Sequence, residues 1–229
     1  MTVNAGDTVT WTAVTDLACG DLVVNGSLTA DGASFTNVGS VIIGSTGSMS
    51  AAGTTFNVNN GWSNSGSFSG AGSTVVADSA CSNTSTTFTG NTPFANLRAN
   101  IAGHTLNFAP GSEQTVSGQL ALDGVTLLGQ GGTAYLTLLP GGTQTIATVG
   151  VNDVNASRGQ HLAPTAVNVI TGPAVNWFSA GPKPPVVIAQ PVPVTGPWGL
   201  ALMAGLLMAA AHRTRRQSRK SPHGRTESE

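Results

Sequence analysis

The side chains able to do acid–base, nucleophilic or metal chemistry are few: ten carboxylates, nine lysines and arginines, four histidines and two cysteines in 229 residues. The densest ionisable group is Asp153 with Arg158 and His161. Acid–base cleavage of a polysaccharide works with paired carboxylates. No second acid lies near this trio, so it is expected to be a solvated turn. His104 has no His, Cys or acid at metal-ligand spacing and is expected on an exposed loop. No Gly-x-Ser-x-Gly elbow occurs. Gly129-Gln-Gly-Gly132 and Gly141-Gly142 lack the Gly-Lys-Ser/Thr ending that a phosphate loop needs. The pattern predicts no catalytic residue, no metal ligand and no cofactor.

The charges that exist are unevenly placed. Residues 1–179 carry eight acids (Asp7, Asp16, Asp21, Asp31, Asp78, Glu113, Asp123, Asp153) against Arg98 and Arg158, a net charge of −6. Arg213, Arg215, Arg216, Arg219, Lys220 and Arg225 crowd the C-terminus. Charged residues make up only 8% of the chain, against about 25% in an ordinary soluble domain. Exposed helical faces are built from Glu, Lys and Arg, so a cytosolic helical protein is excluded. A hydrophobic fraction of 40% excludes a disordered chain. What fits is an all-β body covered with hydroxyls and amides.

A repeat supplies the elements of that body. Gly26-Ser-Leu-Thr-Ala-Asp-Gly-Ala-Ser-Phe35, Gly47-Ser-Met-Ser-Ala-Ala-Gly-Thr-Thr-Phe56 and Gly66-Ser-Phe-Ser-Gly-Ala-Gly-Ser-Thr-Val75 align without gaps. Gly118-Gln-Leu-Ala-Leu-Asp-Gly-Val-Thr-Leu127 reads as a fourth copy. A period near 20 marks a solenoid, whose coils bury apolar side chains only by stacking on their neighbours. Within each unit apolar and hydroxyl residues alternate, the period-2 signature of a strand. The glycines suit corners, where positive φ or close backbone packing is needed. The expected fold is a parallel β-helix of about 20-residue coils over residues 1–180, with side-chain ladders running up the stack. Asn25-Gly26 and Asp31-Gly32 could also turn hairpins, which leaves an antiparallel sandwich open.

The remaining chain is organised differently. Residues 181–197 form a linker rich in proline (Pro182, Pro184, Pro185, Pro191, Pro193, Pro197). Trp198 to Ala211 is apolar throughout, about 21 Å of helix against a hydrocarbon core of about 30 Å. With uncharged flanking residues completing its length, a transmembrane helix is expected over 198–212. Arg213, Arg215 and Arg216 would stop it on the cytoplasmic side and Trp198 would anchor the other interface. Residues 213–229 are then a basic cytoplasmic tail, and no nucleic-acid partner is expected.

Val192-Pro193-Val194-Thr195-Gly196-Pro197-Trp198-Gly199, followed by an apolar helix and an arginine cluster, resembles the IPTL-CTERM sorting signal of Gram-negative bacteria, related to PEP-CTERM tails. Pro193, Trp198 and Gly199 match that pattern, while Val194 and Thr195 stand where Thr-Leu is commonest. The stretch from Phe94-Ala-Asn-Leu97 to Asn176-Trp-Phe178 is similar to modules of exported bacterial surface proteins that precede such tails. The resemblance implies export, retention in the inner membrane as a single-pass precursor, and processing by an exosortase-type enzyme near the proline motif. It also implies a final place at the cell surface or outside the cell.

An exported chain with two cysteines is expected to pair them in an oxidising compartment. Cys19 and Cys81 are 62 residues apart, about three coils, which would separate equivalent positions by about 14 Å. A disulfide needs Cα atoms within about 7 Å. Pairing therefore requires a protruding loop or an uneven coil, and Asp78 to Thr92 offers one. Met1 to Asp7 has no charged start followed by an apolar stretch, so the chain is expected to begin inside its folded body with a leader upstream. The expected function is that of a non-enzymatic cell-surface or extracellular-matrix protein whose partners are the inner membrane, the processing enzyme and extracellular polysaccharide. The alternatives are a carbohydrate-active β-helix enzyme and a carbohydrate-binding adhesin.

Overall fold

The computed structural model describes residues 1–165, 169–170 and 172–178. The linker, the sorting motif (Val192, Pro193, Val194, Trp198, Gly199), the expected membrane span and the arginine stop lie outside the described residues. Among the described residues, no helix is long and apolar enough to cross a membrane. Met1–Ser179 forms one compact unit.

Every strand ladder in this unit is parallel, which removes the antiparallel sandwich. The chain winds as a β-solenoid of about seven turns, each of about 21 residues. Three faces result. The first carries Thr2–Val3, Leu22–Val24, Ser85–Gly90, Thr105–Phe108, Val125–Gly129 and Val149–Asn152. The second is split into two four-stranded sheets, one ending at Ser67–Ser69 and the next starting at Thr92–Phe94. The third carries Val14–Asp16, Thr74–Ala77, Asn96–Asn100, Gln119–Asp123 and Thr143–Ile146. The ten-residue strands Ser34–Ile43 and Thr55–Asn64 bend from the third face onto the first, so one network joins fourteen strands.

Three sequence repeats coincide with this register. Ser27, Ser48 and Ser67 are neighbours up the stack, as are Leu28, Met49 and Phe68. The two glycines of each repeat do different work. At Gly26, Gly47 and Gly66 a Cβ would fall within 2.2, 2.1 and 2.3 Å of a backbone oxygen of the coil below. Gly32, Gly53 and Gly72 instead have φ of +72°, +65° and +69°, where L side chains are strained. The fourth copy is out of phase. Gln119–Asp123 lies on the third face beside Asn96–Asn100, not on the second face with the serine strands. Alternation within a strand reports which side chains point inward but not which face of the coil the strand occupies.

Inward positions make a single core. Phe35 stacks on Phe56 at 5.4 Å, Phe56 meets Trp62 edge-on, Trp62 contacts Phe68 and Phe94, and Phe94 leads through Phe88 to Phe108. Six of the seven phenylalanines thus form an internal spine around Trp62. Each such ring contributes about 1.5–3 kcal/mol by burial. Trp177 packs at the far end, with its indole N–H donating to the Val154 carbonyl at 2.9 Å. Among the described residues, polar side-chain pairs between coils are isolated, as in Asn37 with Asp16, Ser50 with Asp31 and Arg98 with Gln119, and do not continue as the expected ladders. Hydroxyls and amides bridge coils by bonding to the neighbouring backbone, as in Asn96 to Ser73, Thr86 to Asn59 and Gln114 to Gly90. Corners and bends leave carbonyls without a sheet partner, and short polar side chains satisfy them.

Candidate functional site

The two cysteines are joined. Cys19 follows Val14–Asp16 and Cys81 follows Thr74–Ala77, and their Cα atoms are 5.7 Å apart. Two corners intervene between them, at Asn37 and at Asn59. The geometry is possible because those corners are short while residues 78–84 form a longer loop that reaches back. The Cys19 amide donates to the Asn37 carbonyl at 2.7 Å, and the Cys81 amide donates to Asn59 Oδ1 at 2.8 Å. Each cysteine therefore rests on the coil next to its own, and the sulfurs close the remaining gap. Ala18, Cys19 and Ser82 take positive φ (48°, 66° and 65°), so the clasp also holds left-handed backbone on both sides.

Beneath the clasp runs a buried polar chain. Asn59 Nδ2 donates to the Val38 carbonyl at 3.0 Å, the Thr86 hydroxyl donates to the Asn59 carbonyl at 2.8 Å, and Thr86 Oγ1 lies 2.9 Å from His104 Nε2. His104 is 2% exposed, which corrects the expectation of an exposed loop histidine. Its Nδ1 has no hydrogen-bond partner. Burial pushes its pKa down, with the Asp78 carboxylate and the Asn83 carbonyl acting in the opposite direction.

The Asp153, Arg158 and His161 group does not assemble. Arg158 turns to Glu113, 45 residues away, at 2.6 Å. Its guanidinium lies over the Tyr135 ring, 3.4 Å from the centroid. Thr137 donates to the other Glu113 oxygen at 2.6 Å. Burial raises the Glu113 pKa, but the Thr137 and Arg158 hydrogen bonds and the Arg158 charge outweigh it, and the carboxyl is held below its usual range. The Arg158 pKa rises, chiefly through the hydrogen bond to Glu113. Both Glu113 oxygens are engaged, so the arrangement braces coils together and leaves no free base. Glu113, Tyr135 and Arg158 are spaced by roughly one turn each, which is the only sign the sequence carries of their meeting. His161 Nε2 contacts the Phe178 carbonyl at 2.5 Å.

The other carboxylates explain the acidic body. Asp7, Asp16, Asp21, Asp31, Asp78 and Asp123 each accept a backbone amide at a corner, from Asn4, Ala18, Ser40, Ala52, Ser79 and Thr148 respectively. Asp16 has its pKa lowered by the Ala18 amide and by Asn37. The acids are dispersed because the corners are. Among the described residues, no group of three His, Cys, Asp or Glu side chains could hold a metal ion. Compared with known proteins, the chain matches no family model, no curated protein and no solved structure.

Proposed function

We propose that this chain is a non-enzymatic, exported cell-surface or extracellular-matrix protein, whose solenoid body is presented through an IPTL-CTERM-like tail. The observation that carries the reading is the Cys19–Cys81 clasp, formed from the only two cysteines in the sequence. Structural disulfides persist in oxidising compartments and are rare in the cytosol. The use of the body's carboxylates as corner caps and in an ion-paired brace supports a stalk rather than a catalyst. The sequence of the last fifty residues supplies the means of retention. Pro-rich residues 181–197 would separate the body from the membrane, a helix over 198–212 would hold the precursor, and Arg213, Arg215 and Arg216 would stop transfer. An exosortase-type enzyme would process the chain near Val192-Pro193-Val194.

The test is fractionation of cells expressing the tagged full chain beside Pro193→Ala and Trp198→Ala variants. The wild type should pass from an inner-membrane precursor to a shorter surface or extracellular form, and the variants should accumulate as precursor. Unchanged processing and location in both variants would overturn the sorting part of the proposal.

A further inference from the structure

The outer surface of the third face holds a groove that nothing in the stalk reading requires. Its floor is the row Val76, Arg98, Ala121 and Thr145, which are neighbours on successive coils. One wall is made by Asp78, Asn100 and Asp123, also on successive coils, with Asn100 and Asp123 directly paired. The trough encloses about 580 Å³.

The groove keeps hydrogen-bonding capacity in reserve. Arg98 is exposed and gives Nη2 to Gln119 Oε1 at 2.6 Å. The ion pair found among the described residues is Arg158 with Glu113, which leaves the Arg98 charge unneutralised. Asp78 and Asp123 each use Oδ1 on a backbone amide and retain Oδ2. The Asn100 side chain is exposed. Donors from Arg98 and Asn100 and acceptors from two carboxylates therefore face one trough, whose floor offers the methyl groups of Val76 and Ala121.

We infer that this groove binds a neutral, hydroxyl-rich polysaccharide strand lying along the solenoid axis. A sugar hydroxyl donates to a carboxylate while accepting from a guanidinium or amide, and its C–H face suits an apolar floor. The rows run along the axis with one residue per coil, about 4.8 Å apart, so an extended polymer spans several of them whereas a compact ligand does not. Charge selects the class. With two carboxylates beside one arginine on a body of net charge −6, a polyanion or nucleic acid is repelled. The groove has no aromatic platform, so single contacts are weak and the length of the polymer supplies avidity. The inference deepens the surface-protein reading by naming a substrate for attachment, and binding by purified protein is scored separately from sorting in cells.

The experiment is affinity electrophoresis of the full chain, kept in a detergent without a sugar headgroup, through gels containing laminarin, dextran, xylan or polygalacturonate. At least one neutral glycan should retard the protein, and polygalacturonate should not. Arg98→Ala should weaken that retardation about tenfold or more, the loss expected for one charged hydrogen bond. Asn100→Ala should weaken it in the same direction, while Arg158→Gln, away from the groove, should leave it unchanged. Circular dichroism of each variant separates loss of binding from loss of fold. Absence of retardation by all three neutral glycans overturns the inference. Retardation that is equal in wild type and Arg98→Ala, or confined to polygalacturonate, does the same.

Discussion

Asn59 and Cys81 are joined by a hydrogen bond of 2.8 Å from the cysteine amide to the asparagine Oδ1, and the same carboxamide donates to the Val38 carbonyl at 3.0 Å. One buried side chain thus ties the disulfide loop to the corner two coils before it. Asn59→Leu leaves the Val38 carbonyl and the Cys81 amide without partners. At about 1–3 kcal/mol for the buried Val38 carbonyl and less for the part-buried Cys81 amide, the variant should lose about 1–4 kcal/mol, read from urea denaturation. A loss below half a kcal/mol would show that the bond contributes little.

The clasp closes a loop of 62 residues. Chain-entropy arguments for such a loop give about 4 kcal/mol of stabilisation. Joint replacement of Cys19 and Cys81 by serine should lower stability by about that amount or less. It should also open residues 78–84 to protease before the rest of the body, because that loop carries no sheet pairing. Identical digestion patterns with and without the disulfide would contradict this account.

His104 carries a pH dependence of definite sign. Burial holds its folded pKa below the ordinary value of about 6.5. The unfolded chain therefore binds a proton more readily than the folded one. Stability from the neutral ring is complete above about pH 6.5 and is lost as pH falls from there through the lowered folded pKa. The difference in melting temperature between wild type and His104→Gln should shrink or invert between pH 7.5 and pH 5. A constant difference over that window would remove the assignment.

Glu113 responds in the opposite sense to its partner. Its lowered pKa means that stability is present above the usual glutamate range and is lost as pH falls through the folded value. Arg158→Ala removes both a hydrogen bond and a charge, so the Glu113 carboxyl should titrate at higher pH when followed by NMR. An unmoved Glu113 titration would mean that Thr137 alone sets it.

Trp62 stands where the aromatic spine branches, in edge contact with Phe56, Phe68 and Phe94. Close packing lets such a site collapse only in part, so Trp62→Ala should cost about 3–5 kcal/mol. Val14→Ala, at an exposed edge strand (79% exposed), should change the unfolding midpoint little. Equal effects at the two positions would argue against a continuous core.

By itself the sequence determined the repeating coil. Apolar residues alternate with hydroxyls in units that recur near every twentieth residue, and glycines mark the two ends of the short strand in each of the three repeats that share the register. Both signals are local, because period 2 marks a strand and a repeated glycine marks a turn. The sequence also carried the division of charge between an acidic body and a basic tail. Which residues meet was decided only by the tertiary structure. Arg158 lies closer in sequence to Asp153 than to Glu113, yet it bonds to Glu113 because contacts in a solenoid follow the coil register. His104 is expected on an exposed loop because no His, Cys or acid stands at ligand spacing from it, yet it is buried because Thr86 on the preceding coil receives it. Cys19 reaches Cys81 only because one corner is longer than those between. Coil periodicity can be read along the chain, but corner length and phase accumulate from turn to turn and become contacts only when the stack is built.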